Sequence, residues 1–171
     1  MDENTYPVDP EDGLDTEISF KGIGSVSFER GNHIYDHDRN KIAEPDVFYI
    51  EDIDVIEQHR KQGYGKQLFT LALNKAKSEG FVFSRMTIIH PSVIHIIEEL
   101  RREGLVQETS YIPTQPWGEP DIPTAETFLS PHRLSAENAE VVVRAFQQDA
   151  IIAEREDRDP RLRSVEGIIR L

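Results

Sequence analysis

Apolar positions along the chain follow two rhythms. Ile18 and Phe20 alternate with polar residues, Gly22 and Gly24 punctuate, and Val26 and Phe28 alternate against Ser25, Ser27 and Glu29. Period two predicts one or two antiparallel strands after Glu17. The run Val47 to Ile56 predicts a longer strand, and Gln67 to Lys77, with Leu68, Leu71, Ala72 and Ala76 on one side, predicts a helix that Gly80 stops. Met86 to Ile89 predicts a short buried strand. Ser92 then reads as the N-cap of a second helix with Val93, Ile94, Ile96, Ile97 and Leu100 inward and Gly104 at its end. Leu105 to Ile112 predicts a further strand, with Ala125 to Leu129 as its partner. After Ser135 a helical pattern runs from Ala136 to about Arg155, and its stripe of Ala139, Val142, Val143, Phe146, Ala150 and Ala153 is widened by Val141, Ala145 and Ile152. So wide a face packs on the domain or meets another subunit, a homodimer through this helix being the second alternative. Ile168, Ile169 and Leu171 are a last apolar anchor.

Length and composition narrow this picture. The 171 residues suit one domain. Its expected parts are an acidic mobile arm over 1–15, a body over 16–134 and a helical extension over 135–171. With 32 acidic against 19 basic residues the net charge is −13, which speaks against nucleic acid as a partner and favours a cationic one. The absence of cysteine removes disulfides, thiolate metal sites and a cysteine nucleophile. Acids stand where a secretory leader carries basic residues, and no apolar run approaches membrane-spanning length, so a soluble cytoplasmic protein without a membrane partner is expected.

Two polar segments invite functional readings. His33, Asp36, His37 and Asp38 could be drawn as a metal site, but a hydrophilic hairpin loop explains them and a loop lacks the fixed geometry that ligands need; no metal is expected. Pro113 to Pro123 sets four prolines around the only tryptophan, Trp117. Proline stiffens such a loop, so Trp117 is either presented to a substrate or folded down as a cap on the core.

The turn Arg60-Lys61-Gln62-Gly63-Tyr64-Gly65-Lys66, between a strand and a helix, carries the most chemistry. A helix start offers unpaired N–H groups and the positive end of the macrodipole, and glycines allow an anion to approach the backbone. Arg60, Lys61 and Lys66 add positive charge on an otherwise acidic chain.

Strand Ile50 to Val55, then Arg60, Gly63 and Gly65, then an amphipathic helix, a strand and a second helix resemble the GNAT (Gcn5-related N-acetyltransferase) superfamily over about residues 46 to 105. Its motif is glutamine or arginine, two residues, glycine, one residue, then glycine or alanine. The resemblance implies an α+β (mixed α/β) fold, with a mostly antiparallel central sheet containing a splayed strand pair, helices on its faces and here an extra C-terminal helix. It implies acetyl-CoA as acyl donor, with the pyrophosphate on the N–H groups of Lys61, Gln62, Gly63, Tyr64, Gly65 and Lys66 beside Arg60, and the pantetheine arm on the strand edge at Ile53, Asp54 and Val55. It implies direct attack of an amine on the thioester. A base takes a proton from the ammonium, and an acid gives one to the departing thiolate.

By resemblance Glu51 is the first candidate base, with Asp52 and Asp54 behind it. Simple alternation puts Tyr49, Glu51, Ile53 and Val55 on one strand face and the two aspartates on the other. The sequence departs from the family where an asparagine and a tyrosine usually mark the second helix. Here its start reads His90-Pro91-Ser92-Val93, and Leu100 stands nearest the tyrosine. Ser92, His95 and Tyr111 are the substitutes on offer. Three functions bear comparison with these features. The leading one is an N-acetyltransferase acting on a primary amine, cationic by charge balance, of a small molecule or protein. The second is a weak or inactive GNAT-fold regulatory module acting through its C-terminal helix. A dinucleotide oxidoreductase is rejected, because its fingerprint has a third glycine and follows a βαβ unit.

Overall fold

The computed structural model describes residues 11–116 and 119–171. Trp117 and residues 1–10 of the expected arm lie outside the described residues. Seven strands form one sheet: β1 (Glu11–Leu14), β2 (Glu17–Phe20), β3 (Gly24–Tyr35), β4 (Lys41–Val55), β5 (Phe83–Ile88), β6 (Glu108–Pro113) and β7 (Val165–Arg170). Their order is β1-β2-β3-β4-β5-β7-β6. All neighbours run antiparallel except β4 and β5. Helices α1 (Tyr64–Ser78), α2 (Pro91–Arg102), α3 (Thr124–Phe128) and α4 (Ala136–Arg155) complete the α+β fold.

The main core lies between the sheet and the helices α1 and α2. Phe28, Phe48 and Ile50 meet Leu68, Phe69 and Leu73 from α1, while Ile88 and Ile169 meet Ile94 and Ile97 from α2. Apolar burial of this kind contributes about 25 cal/mol per Å² removed from water. At Gly167 in β7 a Cβ would stand 2.7 Å from Ile88 Cδ1, so a larger residue there would require the Ile88 side chain to shift. A smaller cluster of Ile112, Phe128 and Ile168, flanked by Phe83, sits under α3.

Several sequence expectations need correction. Ala125 to Leu129 is no strand: Thr124–Phe128 is helical, and Glu44 caps its start by accepting from Thr124 N at 2.6 Å and Thr124 Oγ1 at 3.1 Å. The partner of β6 is β7, which inserts between β6 and β5. The N-cap of α2 stands two residues earlier than expected, at His90, with Pro91 at the first position, where its fixed φ and missing N–H cost nothing. Ser135 does cap α4, accepting from Asn138 N at 3.1 Å. β1 takes up Glu11–Leu14, inside the segment expected as an arm, and pairs with β2.

The faces of β4 also differ from simple alternation. Ser27 pairs with Asp52 and Phe28 with Ile50, which leaves Glu51 as the extra residue of a bulge. The bulge shifts the pleat by one. Ile53, opposite buried Val26, therefore shares the core face with Ile50 and Phe48, and Asp52 and Asp54 lie with Ser27 and Ser25 on the far face. Glu51 shares that far face with Glu29, with which it hydrogen-bonds.

Helix α4 packs on α2 through its predicted stripe, with Ala139, Val143 and Ala153 buried, while Val141 and Ile152 on its flank stay exposed. In the hairpin at 36–40, Asp36 accepts from Asp38 N at 2.9 Å and Asn40 N at 2.8 Å. Its carboxylate is thus spent on the turn. Among the described residues no group of three acids, histidines or cysteines could hold a metal ion, and no helix is long and apolar enough to cross a membrane.

Candidate active site

β4 and β5 pair over only three residues each, Val47–Tyr49 against Phe83–Arg85. Beyond this point β4 keeps β3 on one side, while the backbone of residues 50–55 on the other side faces an opening wedge. Unpaired strand groups at such a wedge are a template for an extended polar chain. The expected splay is therefore present, and Ile53, Asp54 and Val55 border it.

The chain then passes through a single 3-10 turn, Glu57–His59, into the glycine turn. Arg60 Nε donates to Val55 O at 2.9 Å, so this guanidinium staples the turn to the end of β4. Lys61 and Gly63 take positive φ, 62° and 86°. A Cβ at Gly63 would meet nothing within 4 Å, so its backbone angle, not crowding, requires glycine there. Gly63 is the N-cap of α1, and the first helical bond runs from Gln67 N to Gly63 O at 3.1 Å. The N–H groups of Tyr64, Gly65 and Lys66 precede that bond and lie at the positive end of the helix. Tyr64 seats the helix start by packing edge-on against Phe20 and His59.

The charged side chains of the turn differ in availability. Lys61 is exposed, and its ammonium is available to an anion. Lys66 is engaged with α2 through Glu103 at 2.5 Å and Glu99 at 3.2 Å. These two carboxylates hold its pKa above the usual lysine range. Its ammonium is thus taken up by α2, whereas its backbone N–H remains among those that precede the first helical bond.

On the far face of the sheet, at the bulge, burial raises the Glu51 carboxyl above the usual range, and the Glu29 carboxyl raises it further. Two carboxyls in hydrogen-bond contact favour one shared proton. At the apex of the wedge Tyr49 Oη lies 3.4 Å from Thr87 Oγ1, which donates to Glu166 Oε1 at 2.8 Å. The other oxygen of Glu166 accepts from Arg85 Nε at 3.0 Å, an ion pair with both partners largely buried. Burial of the phenol raises the Tyr49 pKa. Thr87, Glu166 and Arg85 line a cleft of about 810 Å³ that also takes in Asp121, Phe146, Leu162 and Arg163. Asp121 is pushed up chiefly by burial.

The sequence singles out the turn, the strand beside the wedge and Glu51, and the structure puts Glu51 on the far face of that strand. Sequence reasoning missed Arg85, Thr87, Glu166 and Asp121, although an arginine within the apolar run of β5 was a usable signal. The substitutes for the family's acid are committed elsewhere. Leu100 is core, His95 Nε2 lies 3.4 Å from Glu140 on α4, and Tyr111 O–H donates to Glu98 at 2.9 Å, with its pKa raised by burial and that carboxylate. Ser92 is exposed on the first turn of α2.

Among solved structures the chain is similar to diaminobutyrate acetyltransferase EctA from Paenibacillus lautus, in complex with L-2,4-diaminobutyric acid and coenzyme A. That match has 18% identity and a TM-score of 0.47, and covers 91% of this chain and 70% of the other. A Bacillus subtilis acetyltransferase in complex with CoA matches at 20% identity and a TM-score of 0.37, over 58% of this chain and 54% of that one. A GCN5-related N-acetyltransferase from Kribbella flavida matches at 15% identity and a TM-score of 0.38, over 78% and 33%. No curated protein sequence matches the chain. The model of the Acetyltransferase (GNAT) family, whose donor is acetyl-CoA, matches residues 21–93. This span includes the wedge strand, the glycine turn and α1. The chain is thus similar to the acetyltransferase (GNAT) family from Lys21 to Val93, the stretch that holds the turn at Arg60 to Lys66.

Proposed function

We propose that the protein is an acetyl-CoA-dependent N-acetyltransferase acting on a primary amine of a small molecule or protein. The observation that carries this reading is the continuity of the wedge beside residues 50–55 with the helix start at Gly63. A free strand edge followed directly by an anion cradle suits a ligand that has an amide-containing arm and a pyrophosphate. The residues fit such a donor: Ile53, Asp54 and Val55 offer backbone groups, the N–H groups of 61–66 and the Lys61 ammonium face the phosphates, and Arg60 holds the turn in register. Bound there, acetyl-CoA supplies a thioester carbonyl open to attack by nitrogen.

Glu51 acts as the base in this reading. An ordinary exposed glutamate is too weakly basic for the task; burial and Glu29 move Glu51 in the required direction. It takes a proton from the acceptor ammonium, the freed amine forms the C–N bond as the C–S bond breaks, and the thiolate leaves to collect a proton. Thiolate is a tolerable leaving group, so the step proceeds without a dedicated acid. The acidic face of Glu29, Glu51, Asp52 and Asp54 supports an acceptor that arrives as a cation. A cytoplasmic setting and a homodimer through α4 belong to the same proposal, and the exposed Val141, Ile151 and Ile152 support the second.

Thermal unfolding with and without acetyl-CoA tests the reading, since a ligand of the folded state alone raises the midpoint. An unchanged midpoint at saturating acetyl-CoA and CoA would falsify it. The second reading, a catalytically weak regulatory module, is favoured by the engagement of His95 and Tyr111 away from the wedge. Acetyl-CoA binding without turnover on a broad amine panel would select it.

A further inference from the structure

The large cleft is not lined as a simple cation trap. In a chain of net charge −13 it gathers Arg39, Arg85 and Arg163 among four carboxylates, of which Glu166 is paired with Arg85 and Asp36 is bound to its own turn, leaving Glu119 and Asp121. Arg85 is 5% exposed and spends its Nε on Glu166. Its Nη1 has only long contacts, 3.4 Å to Ile122 O and Thr124 Oγ1, and its Nη2 has no partner among the described residues. Arg39 comes from the β3–β4 turn and Arg163 from the segment before β7, and neither has an ion-pair partner among the described residues. Thr87 and Glu166 tie the same cleft, through Tyr49, to the apex of the wedge.

A polyamine has a partner for the carboxylates here but offers nothing to the Arg39 and Arg163 guanidinium groups, whose repulsion of an added cation grows as water is excluded. A ligand with one positive and one negative end meets complementary charge at both. The volume, about 810 Å³, is that of a small-molecule site. We infer that the acceptor is a small zwitterionic amine, an amino acid in the broad sense, whose carboxylate is received by Arg39 and Arg163 while its ammonium end is directed to the wedge. This inference rests on the reading of the wedge as the donor site. It adds the requirement for a carboxylate. Guanidinium suits that group because its planar fork matches two oxygens. Asp121 and Glu166 then face the ammonium as it passes toward Glu51.

Matched pairs that differ only in the carboxylate test this: lysine against 1,5-diaminopentane, ornithine against 1,4-diaminobutane, and β-alanine against ethylamine. Each is assayed for acetylation, and its binding is read as thermal stabilisation with and without CoA, so the acceptor question is answered even if the donor reading fails. Failure of the donor reading shows separately as no stabilisation by CoA. The expected result is a preference of about tenfold or more for the carboxylated member of at least one pair, in kcat/KM or in Kd. The double variant R39A/R163A should reduce that preference to about threefold or less while leaving CoA stabilisation intact. Equal or better use of the decarboxylated amines overturns the inference, as does binding of neither set, or a preference that survives in the double variant.

Discussion

The two sides of the wedge are built in opposite ways. The proposed donor side is one continuous stretch, from the free edge of β4 through Arg60 and Gly63 into α1, and each part is placed by its chain neighbours. The proposed acceptor side is assembled from the β3–β4 turn, β5, the loop after β6 and the segment before β7, with Asp36 and Glu166 130 residues apart in sequence. A contiguous anion site is fixed by local backbone physics and survives much variation around it. A discontiguous cleft is fixed only once the sheet has closed, and it is where one member of a fold differs from another.

That contrast predicts where damage spreads. Arg85→Ala leaves Glu166 with an uncompensated buried charge, and breaking such a pair costs about 3–5 kcal/mol. Denaturant unfolding should show this loss, together with collapse of the acceptor side, while acetyl-CoA still stabilises whatever remains folded. Equal loss of donor binding would mean that the two sides are one cooperative unit. Glu51→Gln comes next. Turnover should fall by about a hundredfold or more with cofactor affinity unchanged, the usual contribution of a general base. Glu29→Gln removes a group that raises the Glu51 pKa, so the acid limb of the kcat/KM profile should move to lower pH. The stability effect has the same origin. A carboxyl whose folded pKa lies above its unfolded value contributes stability that is fully present below the unfolded pKa and is lost as pH rises through the folded one. Both variants should therefore gain stability relative to the parent toward neutral pH, and a pH-independent difference in unfolding midpoint would remove the Glu29–Glu51 contact from the account.

The same contrast governs what could be read from the sequence. Period two and period 3.6 locate β2, β3, β4 and the helical patterns of α1, α2 and α4, because each reports which face of a single element is buried. The position of β7 was not legible. Its Val165, Ile168 and Ile169 look like a loose anchor until the sheet order puts them between β5 and β6. Ala125 to Leu129 is too short for its pattern to distinguish strand from helix, and the deciding cap comes from Glu44, 80 residues away. The bulge at Glu51 is subtler. One unpaired residue moves Ile53 from one face to the other and gathers Glu51, Asp52 and Asp54 together, an effect that register alone determines. Glu51 was singled out by resemblance to the family, whereas its contact with Glu29, which raises its pKa, is a cross-strand fact.

On the donor side the effects should be smaller and strictly local. Gly63→Val places a β-branched residue at φ 86°, a strain of about 1–2 kcal/mol, and should abolish acetyl-CoA stabilisation while the acceptor cleft keeps its structure. The sharpest separation comes from the two lysines, which the sequence presents as equals. Lys61 is exposed at the turn, and Lys61→Ala should weaken CoA binding by about tenfold, the worth of one charge-assisted hydrogen bond. The Lys66 ammonium is engaged with Glu99 and Glu103 on α2. Lys66→Ala should therefore leave CoA affinity within about threefold and cost less than about 1 kcal/mol of stability, as partly exposed ion pairs do. The contribution of Lys66 to the cradle is its N–H, which alanine retains. Calorimetric titration of both variants with CoA decides the point: if Lys66→Ala weakens binding as much as Lys61→Ala, the ammonium leaves its carboxylates when the phosphate arrives, and α2 is part of the donor site after all.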